Sequence, residues 1–559
     1  MYVESKQGVT RELWRFHGGV HLPDNKRQSL QTPLQQAQLP ERLILPLQQH
    51  IGEPALPLVQ IGQRVLKGQK IADSKAPVSA PLHAPTSGNV LDISQQPIPH
   101  PSGHTGLCIL IEPDGKEEWS QLPEPISDYR SATPETLRAR IRDAGIVGMG
   151  GATFPASVKL RPGRPIKTLI INGAECEPYI TCDDRLMQDF PERVLNGVRI
   201  LQHLLDAKNC LIGIEDNKPE AISSLRSHLN EAEPIEVVSI PTIYPSGGEK
   251  QLIRILTGLE VPSSGLPAQL GIVCHNVATA AAVADAVLEG HPLISRLVTL
   301  TGAGIVQPVN MQAPLGISAA ELIRQAGGYT QQVSQLILGG PMMGFNLPND
   351  LVPITKGANC LLAPSLEEAP APAPALACIR CGRCAEVCPV NLLPQQMYWY
   401  SRAKDLEKVQ DYNLFDCIEC GCCSHVCPSH IPLVQYYRFA KTASWAKEQE
   451  RREAEHAKQR HEFRLARLQR LEAERKARLR KKKTALKQQP PKRKANDKGD
   501  SKQAAIQAAM QRAAEKKALQ KTHPKNMQDL TPAQQAQIDA AEQRRVEKAD
   551  ADNRTAGQE

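Results

Sequence analysis

Eight of the fifteen cysteines fall into two copies of one pattern. CIRCGRCAEVCP begins at Cys378 and CIECGCCSHVCP at Cys417, and each reads Cys-x2-Cys-x2-Cys-x3-Cys-Pro. Three thiolates at that spacing wrap three corners of an iron–sulfur cube, and a fourth, displaced and stopped by proline, reaches the neighbouring cube. The expected pairing sets Cys378, Cys381, Cys384 and Cys427 on one [4Fe-4S] cluster and Cys388, Cys417, Cys420 and Cys423 on the other. Zinc ribbons use two separated Cys-x2-Cys pairs, which would leave the third cysteine and the Cys-Pro of each half without a role. Cys422 breaks the symmetry and reads as a spare thiol beside the site. The chemistry implied is one-electron transfer.

Several elements must position these thiols. Each motif runs into a proline-started apolar segment, CPVNLLPQQMYWYSRAK and CPSHIPLVQYYRFAK, read as paired helices that shield the clusters from water. Upstream, Glu368 to Ala375 (EAPAPAPA) is a semi-rigid polyproline-type spacer. From Ser131 strands and helices alternate, the pattern of an α/β domain. Thr133 caps a helix with Pro134 at its first position. After it comes the glycine-rich loop Gly148 to Pro155, whose backbone N–H groups can approach a phosphate or flavin. Thr168 to Ile171 reads as a buried strand, and its end carries NGAECEPY, Asn172 to Tyr179. Ligands of open α/β sheets bind beyond the carboxyl ends of strands, so polar groups should converge there, with Glu175 and Glu177 able to accept hydrogen bonds from a ribose or a ring N–H. Residues 298 to 347 read as strand, turn, strand, helix and strand, with Gly339 to Gly344 as a packing loop.

A chain of 559 residues with 45 prolines and 4% aromatic residues predicts several small domains. There is neither a signal-peptide stretch nor an apolar run approaching the length of a membrane span. The expectation is a cytosolic chain with reduced, metal-binding thiols that does not itself cross a membrane. Residues 441 to 559 hold 31 Lys and Arg against 17 Asp and Glu, a net +14, while the rest of the chain carries −6. Residues 445 to 488 predict a solvated helix with opposite charges at i, i+4, followed by disorder. Arg480 to Lys498, nine basic residues against one acidic, suits anionic lipid headgroups or an acidic partner. Nucleic acid is not expected, since no aromatic residues are interleaved there to stack on bases.

Two families resemble parts of this chain. GMGGATFPASVK (Gly148 to Lys159) resembles the flavin loop of the NADH-oxidising subunit of respiratory complex I, and NGAECEP its acidic turn. Tyr244 to Glu249 (YPSGGE) and His275 to Thr279 (HNVAT) match two further segments in the same order. The wider arrangement is similar to the RnfC family of Rnf (Rsx) electron-transport complexes, closely over about residues 10 to 440. The resemblance implies that Gly148, Gly150 and Gly151 line FMN, that Lys159 neutralises its phosphate, and that Asn172, Asn276 and Thr279 hydrogen-bond the flavin. It implies that Phe154 stacks on the nicotinamide nucleotide and Glu177 binds it, a carboxylate that disfavours a 2′-phosphate and so favours NADH. Glu175, Tyr244 and Glu249 enter the site with their segments. The chain departs from the complex I pattern at Met149, Thr153, Ala174 and Gly248, and has His275-Asn276 for that family's asparagine pair, each loss removing a polar contact to flavin or nucleotide.

The fold expected is multidomain α/β. A barrel-sandwich domain spans 1–125; its Asp73-Ser74-Lys75-Ala76 does not align cleanly with a carrier hairpin, so an unmodified docking domain is preferred. An FMN/NADH-binding α/β domain spans 126–295, a β-grasp (soluble-ligand-binding) domain 296–366, and a Pro/Ala linker 367–376. A helical ferredoxin-like domain with two clusters spans 377–440, and a basic helical then disordered tail 441–559. The resemblance implies a peripheral subunit on the cytoplasmic face of the bacterial inner membrane, in an ion-translocating complex. It would oxidise NADH through FMN and pass electrons through two [4Fe-4S] clusters, with no acid–base catalytic residue. Its partners would be integral-membrane and flavin-carrying subunits and a ferredoxin-type or other redox acceptor. The rival readings are a flavin-less iron–sulfur adaptor and a soluble corrinoid-reducing flavoprotein of the same build.

Overall fold

Thr168–Asn172, Asn209–Glu215 and Ile272–Asn276 are near-continuous apolar runs, as strands covered on both faces require. In the structure, a computed structural model that describes residues 2–4, 10–487 and 506–512, they join Ile235–Ile240 in a parallel sheet. The spatial order is Ile235–Ile240, Asn209–Glu215, Thr168–Asn172, Ile272–Asn276. The chain thus builds outward for three strands and returns to the far side of the first. Connections diverge at that return, which opens a crevice at the carboxyl ends of Thr168–Asn172 and Ile272–Asn276. Asn172 and Asn276 are register partners there.

The helices over this sheet pack closely. Pro191–Leu205 lies against the wholly buried Val277–Ala284. A Cβ on Gly197 would stand 1.7 Å from the Ala280 carbonyl oxygen, so only glycine permits the approach. Pro134–Asp143 starts as expected, the Thr133 hydroxyl accepting from the Thr136 N–H at 3.2 Å.

Two small sheets make the N-terminal barrel-sandwich: Leu43–Pro46, Thr105–Pro113, Gly88–Pro97 and Arg64–Val65 in one, Leu56–Pro57, Lys70–Asp73 and Leu82–His83 in the other. A six-stranded mixed sheet follows, in which Ser295–Thr301 pairs with Val309–Pro314 and Cys360–Leu362, with helix Ala319–Gln325 beside it. One apolar core runs through both regions, from Leu43, Ile71 and Ile109 to Val298, Met311 and Leu361.

The first residues depart from the expected 1–125 unit. Arg11 pairs with Glu236 at 2.6 Å, the Trp14 N–H donates to Ile255, Val20 bridges to Tyr244, and Gln35–Gln36 adds a strand beside Val309–Pro314. This segment has little apolar alternation of its own, and the backbone edges of other elements supply its partners.

The two thiol motifs have matching backbones. Gly382 and Gly421, at φ +83° and +84°, precede short helices Arg383–Glu386 and Cys422–His425. Proline-started Pro394–Arg402 and the long Leu433–Lys487 follow, tied by the Tyr437 hydroxyl donating to the Pro394 carbonyl at 2.7 Å. The chain divides into units Met1–Glu453 and Ala454–Glu559. In the second, the helix runs to Lys487, its side chains exposed as far as Thr484, with pairs such as Lys476–Glu472 at 2.8 Å, as its charge pattern predicts. Of the tail expected to be disordered, residues 506–512 are described and are helical, and the rest, with much of Arg480 to Lys498, lies outside the described residues. Among those described, no helix is long and apolar enough to cross a membrane.

Candidate functional site

The crevice at the strand ends is a cavity of about 450 Å³. Ten of the twelve residues expected to bind flavin or nicotinamide nucleotide line it: Gly148, Gly150, Phe154, Lys159, Asn172, Glu175, Glu177, Tyr244, Glu249 and Asn276. Gly151 does not; it is exposed at φ +106°, at the outer bend of its loop. Thr279 does not either. It is fully buried, and its hydroxyl accepts from the Met149 N–H at 2.9 Å, so it anchors the glycine loop instead of facing a ligand. Arg296 adds a second anchor, donating to the Met149 carbonyl at 2.6 Å.

Most polar groups here already hold one another. Asn172 donates to the Gly247 carbonyl at 2.8 Å and accepts from Ala174, which joins the strand end to the YPSGGE turn. Asn276 caps Val277–Ala284 by accepting from Ala278 and donates to Asp183 at 2.5 Å. The Glu175 carboxylate accepts from the N–H groups of Asp183 and Asp184, at the start of helix Cys182–Asp189, where a negative charge is favoured. Glu177 accepts from Met343 at 2.8 Å and Met342 at 3.2 Å. The Gly339–Gly344 loop, expected only to pack, therefore supplies hydrogen-bond donors. Lys159 pairs with Glu249.

Beneath the acidic turn the buried Lys26 donates to the carbonyls of Glu175, Glu177 and Ile180 at 2.9, 3.0 and 2.5 Å. Burial dominates the electrostatics. It lowers the pKa of Lys26, raises those of Glu175 and Asp183, pushes Glu177 up to about 7, and with Lys159 nearby takes His275 down to about 3.

Three buried side-chain atoms on this cavity have no hydrogen-bond partner among the described residues: Asp183 Oδ1, Gln251 Oε1 and His275 Nε2. An unpaired buried polar atom costs roughly 1–3 kcal/mol, so three around one glycine-floored crevice fit a flat, polar ligand such as FMN. The sequence pointed to none of these three as contacts, nor to Lys26. Two acids at the start of a helix, Asp183 and Asp184, were the available signal for one of them; Lys26 had none.

The thiols gather in two hollows. Cys378, Cys381, Cys384 and Cys427 line one, and Cys388, Cys417, Cys420 and Cys423 the other, the same quartets that the spacing suggests. Burial raises Cys384, Cys388, Cys417 and Cys423, Cys417 up to about 12, and the sulfurs around Cys423 raise it further, whereas a hydrogen bond with Cys422 lowers Cys420. Four thiolates facing across an apolar hollow are stable only around cationic charge, so the donor set fits an iron–sulfur cube. Cys422 is fully buried, packed with Tyr244 and Cys420. Ile418 lines both the cavity and the second hollow. Tyr244 walls the cavity, and its hydroxyl donates to the Cys420 carbonyl at 2.7 Å.

Known proteins resemble the chain in the same divisions. Family matches are the RnfC barrel sandwich hybrid domain over residues 14–116, the Nuo51 FMN-binding domain over 141–285, the SLBB domain over 297–346 and the 4Fe-4S dicluster domain over 377–431. The C subunit of the ion-translocating oxidoreductase complex of Pseudomonas aeruginosa is 51% identical over 467 residues, 83% of this chain and 60% of that protein. Its counterpart in Vibrio cholerae O1 El Tor is 50% identical over 470 residues, 84% of this chain and 60% of that protein. The chain thus spans about three fifths of the length of these relatives. The crystal structure of an NAD+-reducing [NiFe]-hydrogenase in the air-oxidized state aligns with 52% of this chain and 57% of its own at 20% identity, with a TM-score of 0.40, too slight a likeness to carry an argument.

Proposed function

The chain belongs to the RnfC family of ion-translocating oxidoreductase complexes, and on that premise we propose that it oxidises NADH through FMN and passes the electrons through two [4Fe-4S] clusters to membrane-embedded partners. We place it as a peripheral subunit on the cytoplasmic face of the inner membrane, with residues 296–366 as a β-grasp spacer. Bound FMN supplies the conversion of a two-electron donor into single-electron steps, and the clusters carry those electrons one at a time.

The residues position and insulate. Gly148 and Gly150 let backbone amides approach the phosphate. Asp183 Oδ1, Gln251 Oε1 and His275 Nε2 are the groups left to orient the ring. Tyr244 and Ile418 fill the wall between the cavity and the quartet of Cys388, Cys417, Cys420 and Cys423, which keeps water out of the path. The observation that carries the reading is the Tyr244 hydroxyl on the Cys420 carbonyl, one side chain bridging the flavin cavity and a cluster loop.

A second reading, the flavin-less iron–sulfur adaptor, draws on two other contacts. Lys159 is already paired with Glu249, and both Glu177 oxygens already accept N–H groups. Anaerobic purification with iron, sulfide and flavin quantified, followed by NADH titration, separates the two. About eight irons, one flavin per chain and bleaching of the cluster absorbance by NADH are expected. Iron without releasable flavin and without bleaching would make the adaptor the better account.

A further inference from the structure

The turn that carries Cys388 is held from outside its own domain. Three consecutive carbonyls, those of Val387, Cys388 and Pro389, accept from the Gly19 N–H at 3.0 Å, the His17 Nδ1–H at 2.8 Å and the Gln251 side-chain N–H at 3.4 Å. His17 and Gly19 lie in the N-terminal segment, and Gln251 lies on helix Glu249–Thr257 of the flavin domain. Gly18 runs so close to the turn that a Cβ on it would stand 2.4 Å from the Val387 carbonyl carbon. The matching turn of the second motif is closed locally, the Cys427 carbonyl accepting from the His430 N–H at 3.0 Å. Cys388 makes the same local bond with the Asn391 N–H at 3.1 Å. Its outside donors are therefore added to a turn that is already closed.

Gln251 faces two ways. It is buried and lines the flavin cavity, and its Oε1 has no hydrogen-bond partner among the described residues. A carbonyl can only accept, so the amide must turn its N–H groups to Pro389 and its oxygen away from it. The backbone makes room for that oxygen. A Cβ on Gly248 would stand 2.4 Å from Gln251 Oε1, so the glycine that departs from the complex I pattern is what lets the amide stand there. A buried oxygen left unsatisfied is costly, and an N–H on a ligand in the cavity would satisfy it.

We propose that Gln251 is a positioning residue that couples the flavin cavity to the inner cluster, the one held by Cys388, Cys417, Cys420 and Cys423. Its oxygen accepts from a flavin ring N–H, and its own N–H holds the Cys388–Pro389 turn, so one side chain sets the ring and a cluster ligand against each other. Groups that hold a metal ligand in place tune the metal's potential, and a filled cavity therefore changes the potential of the inner cluster through Gln251. His17 and Gly19 fix the same turn from the other side and keep it from moving away. The proposal rests on the reading of the cavity as a flavin site and of the quartet as a cluster site, and it does not depend on NADH.

The test uses anaerobically purified full-length protein, stripped of flavin and reloaded with FMN, with EPR-monitored redox titration of the clusters in both forms. The inner signal is the one that survives Cys384→Ala. FMN is expected to shift the midpoint potential of the inner cluster and to leave the outer one in place. Gln251→Met abolishes that shift and weakens FMN binding, read by fluorescence quenching, about tenfold. Gln251→Glu keeps an oxygen for the ring but offers no N–H to Pro389, so the shift is lost while FMN affinity stays within about threefold of wild type. His17 does not line the cavity, so His17→Ala moves the inner potential in both forms and keeps the response to FMN. Should Gln251→Met lose iron, Gln251→Glu is read instead. A shift that persists in an iron-replete Gln251 variant is a through-space effect of the ligand and overturns the proposal. So does a wild-type inner potential that is the same with and without bound FMN. Failure of the wild-type protein to take up FMN would remove the flavin reading and the coupling with it, whereas uptake without a shift removes the coupling alone.

Discussion

The polar groups of the flavin cavity use most of their hydrogen bonds on one another, whereas the eight thiols use almost none. Asn172, Asn276, Glu175 and Glu177 each hold a backbone turn or a helix end. Around the thiols, contacts such as the Leu392 N–H to Cys388 sulfur at 3.3 Å and the Cys384 thiol to Gln395 at 3.5 Å are few and weak. The cavity is therefore shaped by the protein before a ligand arrives. The hollows are completed by what they hold. Removing one residue should distort the cavity by degrees and abolish a cluster outright.

The largest effect expected on that contrast is from Cys384→Ala. It removes one corner of the quartet with Cys378, Cys381 and Cys427, and about four irons per chain should be lost with flavin content unchanged. Equal loss from both quartets would show that the hollows are not separate sites. Lys26→Met comes next. Methionine keeps most of the stem volume but leaves three carbonyls beneath the turn without that donor, at a cost of about 3–9 kcal/mol if each loses the ordinary 1–3. Thermal unfolding should show a marked loss, and flavin should be retained poorly while iron content holds. If flavin binding is untouched, the acidic turn does not depend on its lysine strut.

The same contrast explains what was legible in the residues alone. Ligand spacing is local, so CIRCGRCAEVCP and CIECGCCSHVCP disclosed the quartets that the two hollows now gather. The Thr133 cap and the apolar strand Thr168–Asn172 were readable for the same reason, each depending on its own few neighbours. The cavity's division of labour was not readable. Thr279 looks like a ligand contact in its motif and is a loop anchor, because its partner Met149 is 130 residues away. Lys26 reaches the acidic turn from a segment read as part of another domain. The Gly339–Gly344 loop looked like filler, and its two N–H groups at Met342 and Met343 matter only because Glu177 lies opposite.

That last contact gives the smallest and most specific prediction. Burial raises Glu177 to about 7, against the N–H groups of Met342 and Met343, which favour its charged form. A carboxyl whose folded pKa lies above its unfolded value takes up a proton on folding, so its contribution is full below the unfolded value near 4.5 and is lost as pH rises through about 7. Between pH 5 and pH 8 the protein should lose roughly 1–2 kcal/mol from this group, allowing for its partial exposure. Glu177→Gln keeps one acceptor for the Gly339–Gly344 loop and does not titrate. The gap in unfolding free energy between protein and variant should therefore narrow from pH 5 to pH 8. A gap that stays constant across that window would mean that Glu177 remains an ordinary ionised carboxylate, and that the loop facing it adds nothing to the burial of the cavity wall.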